Sequence, residues 1–262
     1  MEVSARYAYP PVGRCIYCGA TENLSEEHII PYALDGHLVL PDASCSKCAG
    51  ITKKFEQICA REMFGPLRIR LKLNTRRKKQ RPKHLPIVTF DDQGNSKTVT
   101  VSSEKFPRVC LGLKLPLPGI MLGQKPTRVL DNPTIVVSSE DSEVKPYMPK
   151  DKHGAIFGVM HCNAFILLLA KIAHAFAVAN FGMERFKHRL PPLIVGADDD
   201  SEDTILYLVG GDTQDTQQEQ SLHSLNHRLV QINGKHFRVV IIHLFAFMGM
   251  PSYQVVVGEA LK

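Results

Sequence analysis

With 262 residues, 44% of them hydrophobic, the chain is long and apolar enough to bury a packed core in one large domain or two. A net charge of +6 suits a polyanionic partner without singling one out. Seven cysteines, four of them in two C-x-x-C pairs and none behind an apolar leader, fit a reducing, cytoplasmic compartment better than a disulfide framework.

In chain order, residues 1–14 read as a short lead-in that ends at Pro10, Pro11 and Gly13. Cys15-x-x-Cys18 and Cys45-x-x-Cys48 follow, and four thiolates in two close pairs suit one tetrahedral zinc ion. The gap between the pairs is longer than an ordinary zinc ribbon needs, and it carries Glu26-Glu27-His28-Ile29-Ile30-Pro31. Residues 15–43 should form a hairpin with His28 on or just after its first strand and Asp35-Gly36 as a turn. A helix is expected from the N-cap Ser44 to the stop at Gly65-Pro66, with Ile51, Phe55 and Ile58 on one apolar face.

Over about residues 12–62 this arrangement resembles the HNH endonucleases, whose active site is a ββα-metal finger. The resemblance rests on Cys15/Cys18, then Glu27-His28-Ile29-Ile30-Pro31, then Cys45/Cys48, in that order. It implies that His28 is the general base for water attacking a phosphodiester, which suits an imidazole titrating near neutral pH. Glu27 would ligate a catalytic divalent cation such as Mg2+, and His37 stands where an Asn that orients the catalytic His is common. After the second knuckle, where the family usually has an Asn or His ligand, this chain has Ala49 and Gly50. Glu56, two helical turns in, is the nearest oxygen donor in their place. The zinc would be structural, because four cysteine ligands leave no open position.

Residues 67–73, L-R-I-R-L-K-L, alternate strictly and predict a strand with Arg68, Arg70 and Lys72 on a basic face, a helix being the alternative. The densest basic run follows at 75–83, with Arg76, Arg77, Lys78, Lys79 and Arg81. It reads either as a clamp on a nucleic-acid backbone or as a solvated linker at a domain boundary.

Residues 86–102 predict a hairpin, and 107–149 loops and short strands. Residues 160–182 are apolar enough for a membrane span, but Lys171, His174 and Asn163 favour a buried core helix ending at Gly182. His161 and His174 receive no role. After Pro191-Pro192 the pattern turns to strands, L-I-V-G and I-L-Y-L-V-G-G around the acidic loop 198–203, then an exposed polar loop at 212–220. Asn233-Gly234 marks a hairpin between two long strands, and Y-Q-V-V-V-G-E reads as a last strand. The sequence has no P-loop, dinucleotide fingerprint or G-x-S-x-G motif.

The expected fold is α+β: a zinc-bound HNH-like finger (1–66), a basic connector (67–84), and an antiparallel-sheet domain with one long buried helix (85–262) whose role is target selection, dimerisation or regulation. The expected function is metal-dependent hydrolysis of DNA, with no membrane and no nucleotide cofactor involved. A cut through both strands would suggest a homodimer. The rival readings are a non-cleaving finger that docks on nucleic acid, favoured by Ala49-Gly50, and a protein-docking finger that binds no DNA.

Overall fold

The computed structural model describes residues 6–91, 93–126, 133–147, 155–196, 204–212 and 219–261, and they form an α+β structure with several small sheets. In the first sheet the short strand β1 (Tyr7–Ala8) runs parallel to β3 (Leu38–Cys45), and β2 (Leu24–His28) pairs antiparallel to β3 on its other side. Glu27 sits opposite Leu40 and His28 opposite Val39, so His28 ends its strand as expected. The chain returns through a 3-10 turn, Tyr32–Leu34, and the Asp35-Gly36 corner, where Asp35 takes a left-handed φ of 68°. A Cβ at Gly36 would lie 1.8 Å from the Ile30 carbonyl oxygen, so only glycine lets the corner close against the segment after His28.

The helix α1 (Ser46–Ile58) begins directly after β3 and passes into a π-helical turn over Cys59–Met63. The next element corrects the sequence reading, since 67–73 is not a strand: Gly65–Arg70 is the helix α2. Pro66, read as a stop, lies in the first turn of α2, where a missing N–H costs nothing and a fixed φ favours helix. Strands β4 (His84–Phe90) and β5 (Ser96–Ser102) form the expected hairpin. Then β6 (Val109–Lys114) pairs with β7 (Thr134–Ser139), a short helix α3 (Asp141–Val144) follows, and β8 (Ala155–Ile156) adds to β4.

The long helix α4 (Cys162–Phe181) is the expected core helix, and Gly182 follows it at φ 77°. By length and composition it could cross a membrane, but 78% of its most apolar stretch is buried inside the protein. A helix apolar on every side must be covered on every side, and here protein supplies that cover. After β9 (Phe186–His188), the strands expected at L-I-V-G and I-L-Y-L are instead short helices, α5 (Pro191–Val195) and α6 (Ile205–Leu208). The cause at α5 is again proline in the first helical turn, with Gly196 closing the other end at φ 65°. Only Val209–Gly211 of the second run is extended, as β10. The long strands β11 (His223–Ile232) and β12 (Lys235–Leu244) flank Asn233-Gly234, and β13 (Ser252–Ala260) closes the sheet in the order β10-β13-β12-β11, with β9 also on β13. The acidic loop 198–203 and most of the polar loop (213–218) lie outside the described residues.

One apolar core joins the N-terminal finger to the rest of the chain. Ile16, Ile29, Leu34 and Phe55 share it with Phe165, Leu168 and Ile172 of α4 and with Val240 and Val255 of the large sheet. Phe64 bridges the two, its ring centroid 6.0 Å from Phe165 and 4.9 Å from Phe245. A smaller core of Leu85, Ile87, Val101 and Phe106 lies under the β4–β5 hairpin.

Candidate metal centre and active-site cleft

The four knuckle cysteines converge: every pair of sulfurs among Cys15, Cys18, Cys45 and Cys48 lies within 4.8 Å, and Cys18 and Cys45 are 3.6 Å apart. Tetrahedral zinc at ~2.3 Å from each sulfur would place the sulfurs ~3.8 Å apart. The donor set therefore fits a structural metal such as zinc. The first knuckle is a tight turn in which Gly19, at φ 77°, donates its N–H to the Cys15 carbonyl at 2.9 Å. The second is the start of α1, where unpaired backbone N–H groups favour thiolate. The Cys48 N–H beside the Cys45 sulfur, acting against burial, brings the Cys45 thiol down to about 7.

His28 opens onto a cleft of about 600 Å³. Glu27 and Glu56 lie in its floor, and Lys53, Arg61, Arg76 and Arg77 contribute to its walls. Ala49 also lines it, so the position where an Asn or His ligand was sought faces the cleft without a donor side chain. The His28 ring packs edge-on against Tyr32 with centroids 5.7 Å apart, and its Nδ1 is 4.0 Å from Glu26 Oε1. Burial, only partly opposed by Glu26, lowers the His28 pKa, which keeps the ring neutral and able to accept a proton at neutral pH. Glu26 itself is paired with Arg6. His37 shares an adjoining cleft of about 240 Å³ with His28, Tyr32 and Arg76. Its Nε2 lies 3.3 Å from Asp35 Oδ2, outside hydrogen-bond alignment.

Glu27 and Glu56 do come together, but on an ammonium group. Lys171, at the centre of α4 and completely buried, has its Nζ 2.6 Å from Glu27 Oε1 and 2.9 Å from Glu56 Oε1. The same nitrogen donates to the carbonyls of His28 and Ile29. Burial pushes the Lys171 pKa down, yet the charges of Glu27 and Glu56 outweigh it and the net shift is upward, so the ammonium stays charged. Burial is also the main reason the Glu27 pKa is raised. One helical turn on, His174 bonds the Ile16 carbonyl through Nε2 at 2.7 Å. From the far sheet, His223 Nε2 bonds the Leu34 carbonyl at 2.7 Å, while Phe245 N–H donates to its Nδ1 at 3.1 Å. These two bonds make His223 a neutral ring protonated at Nε2. Three basic residues from the C-terminal half thus hold the backbone of the knuckle and of the loop after His28.

The expected nucleic-acid contacts divide. Arg76, Arg77, Lys78 and Lys79 are exposed at the cleft mouth. Arg68 instead reaches three carbonyls, of Ala33, of Ala60 at 2.6 Å and of Asn74 at 3.1 Å. Arg70 bonds the Phe106 carbonyl at 2.9 Å, and Arg81 the Leu73 carbonyl. Those three guanidinium groups serve as backbone ties. The sequence reading missed Lys171, whose signal was a lone lysine in a twenty-residue apolar helix, and Arg61, which had none.

Fold and site together define a cysteine-rich finger able to hold zinc, seated on an α+β core with a basic cleft at its side. Comparison with protein families, curated proteins and solved structures finds no match for this chain.

Proposed function

We propose that the chain is an HNH-type endonuclease that hydrolyses phosphodiester bonds in DNA, with His28 as general base. The observation that carries this reading is the cleft itself: a neutral histidine at the end of a finger strand, in a groove whose walls hold Lys53, Arg61, Arg76 and Arg77. A phosphodiester drawn in by those cations lies beside His28, which accepts the proton of the attacking water as the water oxygen bonds to phosphorus; the phosphorus–oxygen bond to the leaving sugar breaks, and that oxygen takes its proton from solvent. The exposed run Arg76–Lys79 extends the same positive surface beyond the cleft and suits backbone contacts that carry no sequence preference. Zinc at the four cysteines would tie the turn at Cys15–Cys18 to the end of β3 and the start of α1, and would take no part in the chemistry. The resemblance also implies a divalent cation on Glu27 and Glu56. As they stand these carboxylates do not fit one, because both already bond the Lys171 ammonium, and no step runs through it.

A second reading, a finger that binds nucleic acid without cutting it, is favoured by Ala49 facing the cleft where a ligand is usual. Nicking of supercoiled plasmid by the zinc-loaded protein, with and without added magnesium, manganese or nickel, separates the two. Nicking is expected. Salt-sensitive DNA binding with no nicking under any of these conditions would move the function to the binding module.

A further inference from the structure

The position that the resemblance assigns to a divalent metal ion is filled by a side chain of this chain. Glu27 Oε1 and Glu56 Oε1 come from β2 and α1, and both point to one centre, as two ligands of a shared cation do. That centre is Lys171 Nζ, 2.6 and 2.9 Å away. The lysine has no solvent exposure, and it is anchored by the His28 and Ile29 carbonyls as well. A divalent ion on the same two oxygens would sit within a few ångströms of the ammonium, and like charges that close in a water-poor site repel strongly. The ammonium would have to leave, abandoning the carbonyls of His28 and Ile29.

We infer that Lys171 is the built-in cation of this site: it takes the place of a divalent metal between Glu27 and Glu56, and the pair recruits no metal ion from solution. Lys171 touches no substrate, being buried, and acts as a positioning residue. By bonding the His28 carbonyl it fixes where the catalytic ring stands, and by neutralising the two carboxylates it keeps the cleft floor from repelling phosphate. The inference rests on the proposed nuclease reading for its purpose, but not for its test. It also gives residues 85–262 a task, since the finger lacks its cation without α4.

The test is Mn2+ binding to the zinc-loaded full chain, read by electron paramagnetic resonance without DNA. The wild type is expected to bind no Mn2+ that Glu27→Gln removes, at concentrations up to ~1 mM, which is weak by the standards of protein cation sites. Lys171→Met should create a site that binds Mn2+ at least tenfold more tightly and that Glu27→Gln or Glu56→Gln destroys. One equivalent of Mn2+ bound by the wild type and lost in Glu27→Gln overturns the inference. The wild-type comparison decides alone if Lys171→Met does not fold. No nicking together with no Mn2+ binding would refute the nuclease and leave the built-in cation standing. Where nicking occurs, its rate should change less than twofold on adding magnesium.

Discussion

Replacing Lys171 by Met tests the electrostatics at the junction of finger and core. Methionine matches the volume and apolarity of the lysine stem, so packing in α4 is nearly kept. What is lost is the only cation among the described residues within salt-bridge distance of Glu27, whose side chain is 7% exposed, and a partner of Glu56, which is 23% exposed. Removing one partner of a buried pair typically costs ~3–5 kcal/mol, because the other charge is left uncompensated. For a chain of this size each kcal/mol lowers the melting temperature by roughly 2–4 °C, so a fall of about 6–20 °C is expected. Most of the loss belongs to Glu27, since Glu56 can turn to water. Adding Glu27→Gln and Glu56→Gln to Lys171→Met should therefore recover at least half of it. Thermal unfolding followed by circular dichroism on the single and triple variants gives both numbers. A fall under ~3 °C for Lys171→Met, or a triple variant less stable than the single one, would refute the reasoning.

Cys45→Ser should lose the bound metal and unfold the finger, which metal analysis and proteolysis within residues 15–58 would reveal, because a structural zinc site supplies its own folding energy. His223 is held neutral by burial, with its pKa lowered from 6.5 to about 4, so its contribution is complete above pH 6.5 and is lost as pH falls towards 4. At ~1.4 kcal/mol per pKa unit the loss is ~3 kcal/mol, and urea titrations of His223→Gln should show a total loss of stability between pH 6.5 and 4 smaller by about that much. Arg76→Ala with Arg77→Ala should weaken DNA binding and reduce the salt slope by about 0.9 per lost phosphate contact, measured by fluorescence anisotropy. Arg68→Ala should instead destabilise the fold by ~1–3 kcal/mol with little change in that slope, because its donors satisfy buried carbonyls rather than phosphate.

What could be read in advance was set by local spacing. The two C-x-x-C pairs and the Asn233-Gly234 hairpin need only a few residues each, and both are found in the structure as read. The apolar run around Lys171 was legible as a core helix because Lys171, His174 and Asn163 would be costly inside a membrane. The alternation at 67–73 misled because in a helix this short Leu67 and Leu71 lie on one face as naturally as alternate residues do in a strand. Pro66 looked like a helix stop and Pro191-Pro192 like the entry to a strand, whereas both start helices. Glu27 and Glu56 were brought together by the reading and by the fold alike, but the cation between them comes from α4, far along the sequence from both, and no local pattern carries such a pairing. The same holds for His223 and Arg68, whose partners are backbone carbonyls and therefore leave no trace in residue type.

The account stands or falls on His28. The most direct measurement is the rate of plasmid nicking by the wild type and by His28→Ala, with zinc content and DNA affinity measured on the same preparations. General-base catalysis is worth roughly 10²–10⁴-fold, so His28→Ala should lose at least a hundredfold in rate while zinc content is unchanged and DNA affinity stays within twofold. Equal nicking by both proteins, or a wild type that binds DNA and never cuts it, would contradict the account.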